Sequence, residues 1–185
     1  PMTLYVRGDA GLLDEKSVAV VGTRKISAYG RRVATAFSAE LSKRLVIVSG
    51  LAYGVDTAAH EAALNACGKT VAVLGSGVMN IYPAANENLG ARILAQGGAI
   101  VSEYGLFVPP NNYHFPMRNR IVSGLSDALL ICEAPLKSGT MSTLEHALEQ
   151  GKDVYAVPGE IYSPNSMGCN ELLKRLQGAL VTAPE

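Results

Sequence analysis

The 185-residue sequence is poor in cysteine, has no excess charge of either sign, and contains no apolar run long enough to cross a bilayer. Its three cysteines, Cys67, Cys132 and Cys169, are odd in number and widely spaced. That argues against a disulfide framework, and no pair has the spacing of a metal site. Cys67 and Cys132 sit in apolar segments and are expected to be buried free thiols. The start, Pro1-Met2-Thr3, has no basic head followed by an apolar stretch. No secretory signal is read there, and the cytoplasm is the expected compartment. A chain beginning on Pro1 also suggests a piece of something longer. The 16 basic and 16 acidic residues cancel, whereas many nucleic-acid binders carry a clear basic excess. Any phosphate binding must therefore come from local clustering of charge.

Two nucleotide signatures are also missing. Gly75-Ser76-Gly77 resembles the start of a dinucleotide fingerprint, but position 80 is Asn80 rather than glycine. No acidic residue follows a second strand at the right distance. Nicotinamide and flavin are disfavoured, and no cofactor or metal is expected. Lys137-Ser138-Gly139-Thr140 has the wrong order and length for a P-loop, so nucleotide-hydrolysing machinery is not expected.

What is present is a regular alternation of short β-branched runs with helical patterns. Strands are expected at Ser17–Val21, Val46–Val48, Thr70–Leu74, Ala99–Val101, Ala128–Cys132 and Val154–Val157. Helices are expected at Tyr29–Lys43, Thr57–Cys67 with Asp56 as N-cap, Asn86–Gln96, Arg118–Leu125, Thr140–Gln150 and Asn170–Leu176. In the fifth of these, Leu144, Ala147 and Leu148 are expected to face inward. A long loop is expected from Glu103 to Phe115. Nearly all-apolar strands alternating with helices imply an open, doubly wound, mostly parallel α/β sheet covered on both faces. Ligands of such sheets sit beyond the carboxyl ends of the strands. No repeat or linker interrupts the pattern, so one domain over 1–185 is expected, with residues 1–16 as a lead-in.

The strand ends carry the candidate site. Gly22-Thr23-Arg24 leaves a buried strand toward a helix, whose free N–H groups would suit an anion. Thr23 offers a hydroxyl and Arg24 a guanidinium fork, or Arg24 is simply solvated. Ser49-Gly50 and Gly54 allow close backbone approach. In Phe115-Pro116-Met117-Arg118-Asn119-Arg120, one arginine can reach a phosphate while the other braces the loop. Phe115 can stack on a base or pin the loop. Lys137, Ser138, Gly139 and Thr140 open a helix and repeat the anion-site logic.

Taken together, Val20-Val21-Gly22-Thr23-Arg24, Ser49-Gly50-Leu51-Ala52-x-Gly54-x-Asp56, Ile81-Tyr82-Pro83, Phe115-Pro116-x-Arg118-Asn119-Arg120 and Ala156-Val157-Pro158-Gly159 resemble the DNA-processing protein A family, also called Smf. Gly168-Cys169-Asn170-x-Leu172 fits the same pattern, and Leu4-Tyr5-Val6-Arg7-Gly8 resembles the lead-in before its first strand. The resemblance covers nearly the whole chain. It implies an extended Rossmann-like domain that binds single-stranded DNA, forms homodimers and helps load the RecA recombinase. It places the DNA pocket on Thr23, Arg24, Arg118, Asn119, Arg120, Lys137, Ser138, Gly139 and Thr140. Many members add a helical N-terminal domain and a C-terminal winged helix, and neither is expected within residues 1–185. Asn111-Asn112-Tyr113-His114 is neutral where members commonly place arginine or lysine, and Tyr113 can compensate by stacking.

Two rival readings use the same fold. Related nucleotide phosphoribohydrolases have a glycine–threonine–x–x–glutamate motif. Here Thr143 occupies the glutamate position, and Glu145, two residues on, would point elsewhere on a helix. Glu103, Glu133 and Glu145 read as solvated or capping residues. His60, His114 and His146 form no triad by spacing, so no catalytic residue is expected. The other rival is a sensor of a small nucleotide.

Overall fold

In the computed structural model, which describes residues 1–184, eight strands form one sheet in the order β1-β5-β4-β3-β2-β6-β7-β8. The strands are β1 Tyr5–Gly8, β2 Ser17–Gly22, β3 Val46–Ser49, β4 Thr70–Val73, β5 Ala99–Ser102, β6 Ala128–Glu133, β7 Asp153–Ala156 and β8 Ala179–Leu180. The helices are α1 Ala28–Leu41, α2 Val55–Asn65, α3 Glu87–Ala95, α4 His114–Gly124, α5 Gly139–Glu149 and α6 Met167–Lys174. Pairing is parallel from β5 through to β8, and β1 alone runs antiparallel, Tyr5 facing Ser102 and Gly8 facing Ala99.

The central strands are apolar on both faces because both faces are covered. Val18 and Val20 of β2 pack with Ile47, Leu130, Ala34, Phe37, Val55 and Ala59 under α1 and α2. Ala19 and Val21 of the same strand point the other way, into a core with Val48, Ile131, Val122, Leu144 and Cys169 under α4, α5 and α6. Each such aliphatic side chain contributes about 1.5–3 kcal/mol by leaving water. The third helix packs Leu89 and Ile93 on Leu74 and Ile100.

The topology positions the site. From β2 the chain winds outward through β3, β4 and β5, then returns to place β6 on the other side of β2. The β2/β6 boundary is thus a topological switch point, where the flanking loops diverge and leave a crevice. This is the doubly wound, Rossmann-like α/β fold expected.

Several local expectations are corrected. Tyr5–Gly8 is itself an edge strand within the expected lead-in, and β8 was not foreseen. Helix α2 begins earlier than expected. Gly54, at φ 80°, holds the N-cap position, and Asp56 lies inside the first turn. Helix α4 also begins early, at His114, because a proline in a first turn removes no helical hydrogen bond. Leu148 is exposed whereas Leu144 and Ala147 are buried. Cys67 is exposed at a positive φ of 59°, so only Cys132 of the expected pair is a buried thiol. Cys169 is buried as well, and burial pushes its thiol up to about 12.

Candidate nucleic-acid interface

Three loops at the carboxyl ends of β2, β3 and β6 enclose a cavity of about 370 Å³, closed on its fourth side by the start of α4. From β2 come Gly22, Thr23, Arg24 and Lys25; from β3, Gly50 and Ala52; from β6 and α5, Pro135, Lys137, Ser138, Gly139 and Thr140. Phe115, Arg118 and Asn119 complete the wall, with Asp56 at the base of α2.

The two helix ends at the cavity are unequal. The N-terminus of α1 is already occupied. Ser27 accepts from Gly30 N at 3.0 Å, and Glu133 accepts from both the amide and the hydroxyl of Ser27. Glu133 is therefore a buried anchor rather than a solvated residue, and the loop after β2 has no free helix end to offer. Thr23 is buried and its hydroxyl accepts from Lys25 N at 3.1 Å, which holds the loop in shape. The N-terminus of α5 is different. Ser138 at its cap makes no side-chain capping bond, and a Cβ on Gly139 would meet nothing. Its first amides face the cavity uncapped, beside the exposed Lys137. An open helix end with an adjacent ammonium group suits a phosphate.

The two arginines of α4 divide the work, and neither is free. Arg118 is buried under the cavity and donates to the carbonyls of Gly50 and Val73. Burial lowers its pKa, with Asp56 acting in the opposite sense. Burial likewise pushes the Asp56 carboxyl up, opposed by the Arg118 guanidinium and by the amide of Ala52 at 3.2 Å. Arg120 does not line the cavity. It is ion-paired with Glu103, a largely buried carboxylate expected to be solvated or capping. Ser49 is also withdrawn: it is fully buried and its hydroxyl donates to Val20 O at 2.7 Å. Asn119 donates to Gly139 O at 3.2 Å and so ties α4 to the open end of α5.

Phe115 is half-buried at the rim. The Arg24 guanidinium lies 5.5 Å from its ring centre, and Tyr82 stacks on it at 5.4 Å and 27°. Of the site residues expected from sequence, Gly22, Thr23, Arg24, Gly50, Phe115, Arg118, Asn119, Lys137, Ser138, Gly139 and Thr140 meet at one cavity; Ser49 and Arg120 do not. Lys25, the last residue of the Val21–Lys25 loop, also lines it, as does Thr143, the position set against the glutamate motif; Ser142 lines it with no mark in its local sequence. Asp56, marked by its sequence only as a helix cap, lines it as well.

The histidines are dispersed. His60 is fully buried with Nδ1 2.7 Å from Thr70 Oγ1, and burial lowers its pKa to about 3. His114 stacks on Tyr104, and His146 lies beside Glu149. Among the described residues no group of three or more His, Cys, Asp or Glu side chains is arranged to hold a metal ion. Among the described residues no helix is long and apolar enough to cross a membrane.

Fold and site define a Rossmann-like α/β protein with a cationic, aromatic-rimmed cavity at the switch point of its sheet. The family model for DNA recombination-mediator protein A matches residues 1–185, and the chain belongs to that family. It is 49% identical over 187 residues to Protein Smf of Escherichia coli, covering 100% of this chain and 50% of that one. Among solved structures, DNA processing protein A from Streptococcus pneumoniae aligns with a TM-score of 0.91 at 44% identity, over 98% of this chain and 63% of that one. DNA processing protein A from Helicobacter pylori, described for its single-stranded DNA binding mode, aligns with a TM-score of 0.90 at 36% identity, over 100% and 84%. The chain thus spans about half of the E. coli relative.

Proposed function

We propose that this chain binds single-stranded DNA in the switch-point cavity and does no covalent chemistry on it. The observation that carries the reading is the convergence of Arg24, Lys25 and Lys137 with the uncapped N-terminus of α5 around one cavity. The first amides of α5 carry no side-chain cap, and ligand oxygens would satisfy them. A phosphate chain supplies several such oxygens in sequence, and the half-buried Phe115 gives the rim an aromatic edge. The single-strand binding mode described for the H. pylori relative supports the same ligand here. A purely binding role is supported by the carboxylates having other duties. Glu103 neutralises Arg120, Glu133 anchors Ser27, and Thr143 stands where a hydrolase of this fold would need its acid.

The family description, a recombination mediator, supports a cytoplasmic role in which the bound strand is passed to RecA. We also propose a homodimer, and light scattering that gives a dimer mass at high concentration would support it. A small-nucleotide sensor remains the second reading, because about 370 Å³ lies in the range of small-ligand pockets. Fluorescence anisotropy with labelled oligothymidine, using AMP and duplex DNA as competitors, separates the two. Displacement by unlabelled single strand, but not by comparable AMP or duplex, is expected. Displacement by AMP at low concentration would replace strand binding with nucleotide sensing.

A further inference from the structure

A second, smaller cavity of about 60 Å³ adjoins the first and shares Arg24, Gly50, Ala52, Phe115 and Arg118 with it. Its remaining walls include Tyr53 and Tyr82. It is too small to enclose a nucleobase and serves instead as a slot beside two rings. Scattered exposed aromatics mean little by themselves. These two are 49% and 44% exposed, and both line a cavity that continues the anion pocket. The Phe115 ring is already engaged by Arg24 and by Tyr82. The aromatic surface still available to an incoming base is therefore that of the tyrosines. Every base has a flat face that stacks on such a ring without demanding a sequence. Arg24 lines both cavities, so its guanidinium stands where the linkage between two neighbouring nucleotides must cross from one to the other.

We propose that Tyr82 and Tyr53 form a second nucleotide subsite, which takes by stacking the base next to the nucleotide held by Lys137 and α5, with the connecting phosphodiester beside Arg24. This rests on the reading of the first cavity as a single-strand site. It assigns the tyrosines a direct contact with the strand, rather than a role as props for Phe115.

The test compares thymidine 5′-phosphate, the thymidine dinucleotide and a longer oligothymidine by NMR titration and anisotropy, with thermal melts for each variant. The wild-type chain should bind the dinucleotide more tightly than the mononucleotide. Tyr82→Ala should remove most of that gain, a loss of roughly five- to hundredfold for the dinucleotide, and leave the mononucleotide within about twofold. Tyr82→Phe should keep the gain. Tyr53→Ala, at the second ring lining the slot, should show the same length-dependent loss and carries the comparison if Tyr82→Ala does not fold. A gain that survives both alanine variants overturns the subsite. So does an equal loss for both ligands, since that is how a prop for Phe115 would behave. A wild-type chain that binds no oligothymidine of any length instead overturns the strand-binding reading itself.

Discussion

Three arginines that look alike in the sequence do different work once burial is known. Arg24 is exposed over Phe115 at the cavity rim, Arg118 is buried on two carbonyls, and Arg120 is neutralised by Glu103. Arg24→Ala is expected to weaken oligothymidine binding about tenfold by anisotropy, the scale of one charge-assisted hydrogen bond, with an unchanged melting temperature. Arg120→Ala should weaken it less. Arg118→Met should instead act on stability. It leaves the carbonyls of Gly50 and Val73 without that donor and removes a charge that favours the Asp56 carboxylate, a loss of about 1–3 kcal/mol for each unsatisfied group in urea unfolding. His60 sets a pH dependence. Its folded pKa of about 3 lies below its ordinary 6.5, chiefly through burial and secondarily through Arg118. The unfolded chain therefore binds the proton more readily, and stability present above pH 6.5 is lost as pH falls toward 3. The slope is about 1.4 kcal/mol per pH unit at most. Asp56, whose carboxyl is pushed up chiefly by burial, works in the opposite sense above its ordinary 3.8. Urea titrations at pH 7 and pH 4 should show the loss, and His60→Gln should flatten it.

At the scale of elements, the start of α1 is built from three parts that are distant in sequence. Ser27 caps the helix, Glu133 from the end of β6 holds Ser27, and Gly30 leaves room for that carboxylate, since a Cβ there would collide with it. Ser27→Ala should cost about 0.5–2 kcal/mol, and Gly30→Ala should lower the melting temperature further because it displaces a buried charge. This arrangement also shows where sequence reading runs out. Six inner strands were legible because burial on both faces writes long apolar runs. β1 and β8 were not, because edge strands of four and two residues carry no such run and exist only through their partners. The site was legible where a loop's own residues make it, as at Gly22-Thr23-Arg24 and Lys137-Ser138-Gly139-Thr140. It was illegible where reach and burial decide the outcome. Two arginines on one helix give no sign of which is buried, and the hydroxyl of Ser49 turns inward to Val20. Nor does the sequence reveal that Glu133 occupies the end of α1, which makes the α5 terminus the free one.

Over the whole molecule, charge is zero, yet the cavity rim gathers Arg24, Lys25 and Lys137 at one end of the sheet. A neutral protein with a local cationic rim should engage few phosphates, so its salt dependence should be shallow but real. For a single strand each phosphate contact contributes roughly 0.7 to the slope of log affinity against log salt. Three rim cations then predict a slope of about −2. The most direct measurement is oligothymidine affinity across a salt series for the wild-type chain and for Arg24→Ala/Lys137→Ala. The double variant should bind more weakly at low salt with a slope shallower by about 1.4. Equal slopes for the two proteins would mean that the strand, if bound, lies on some other surface.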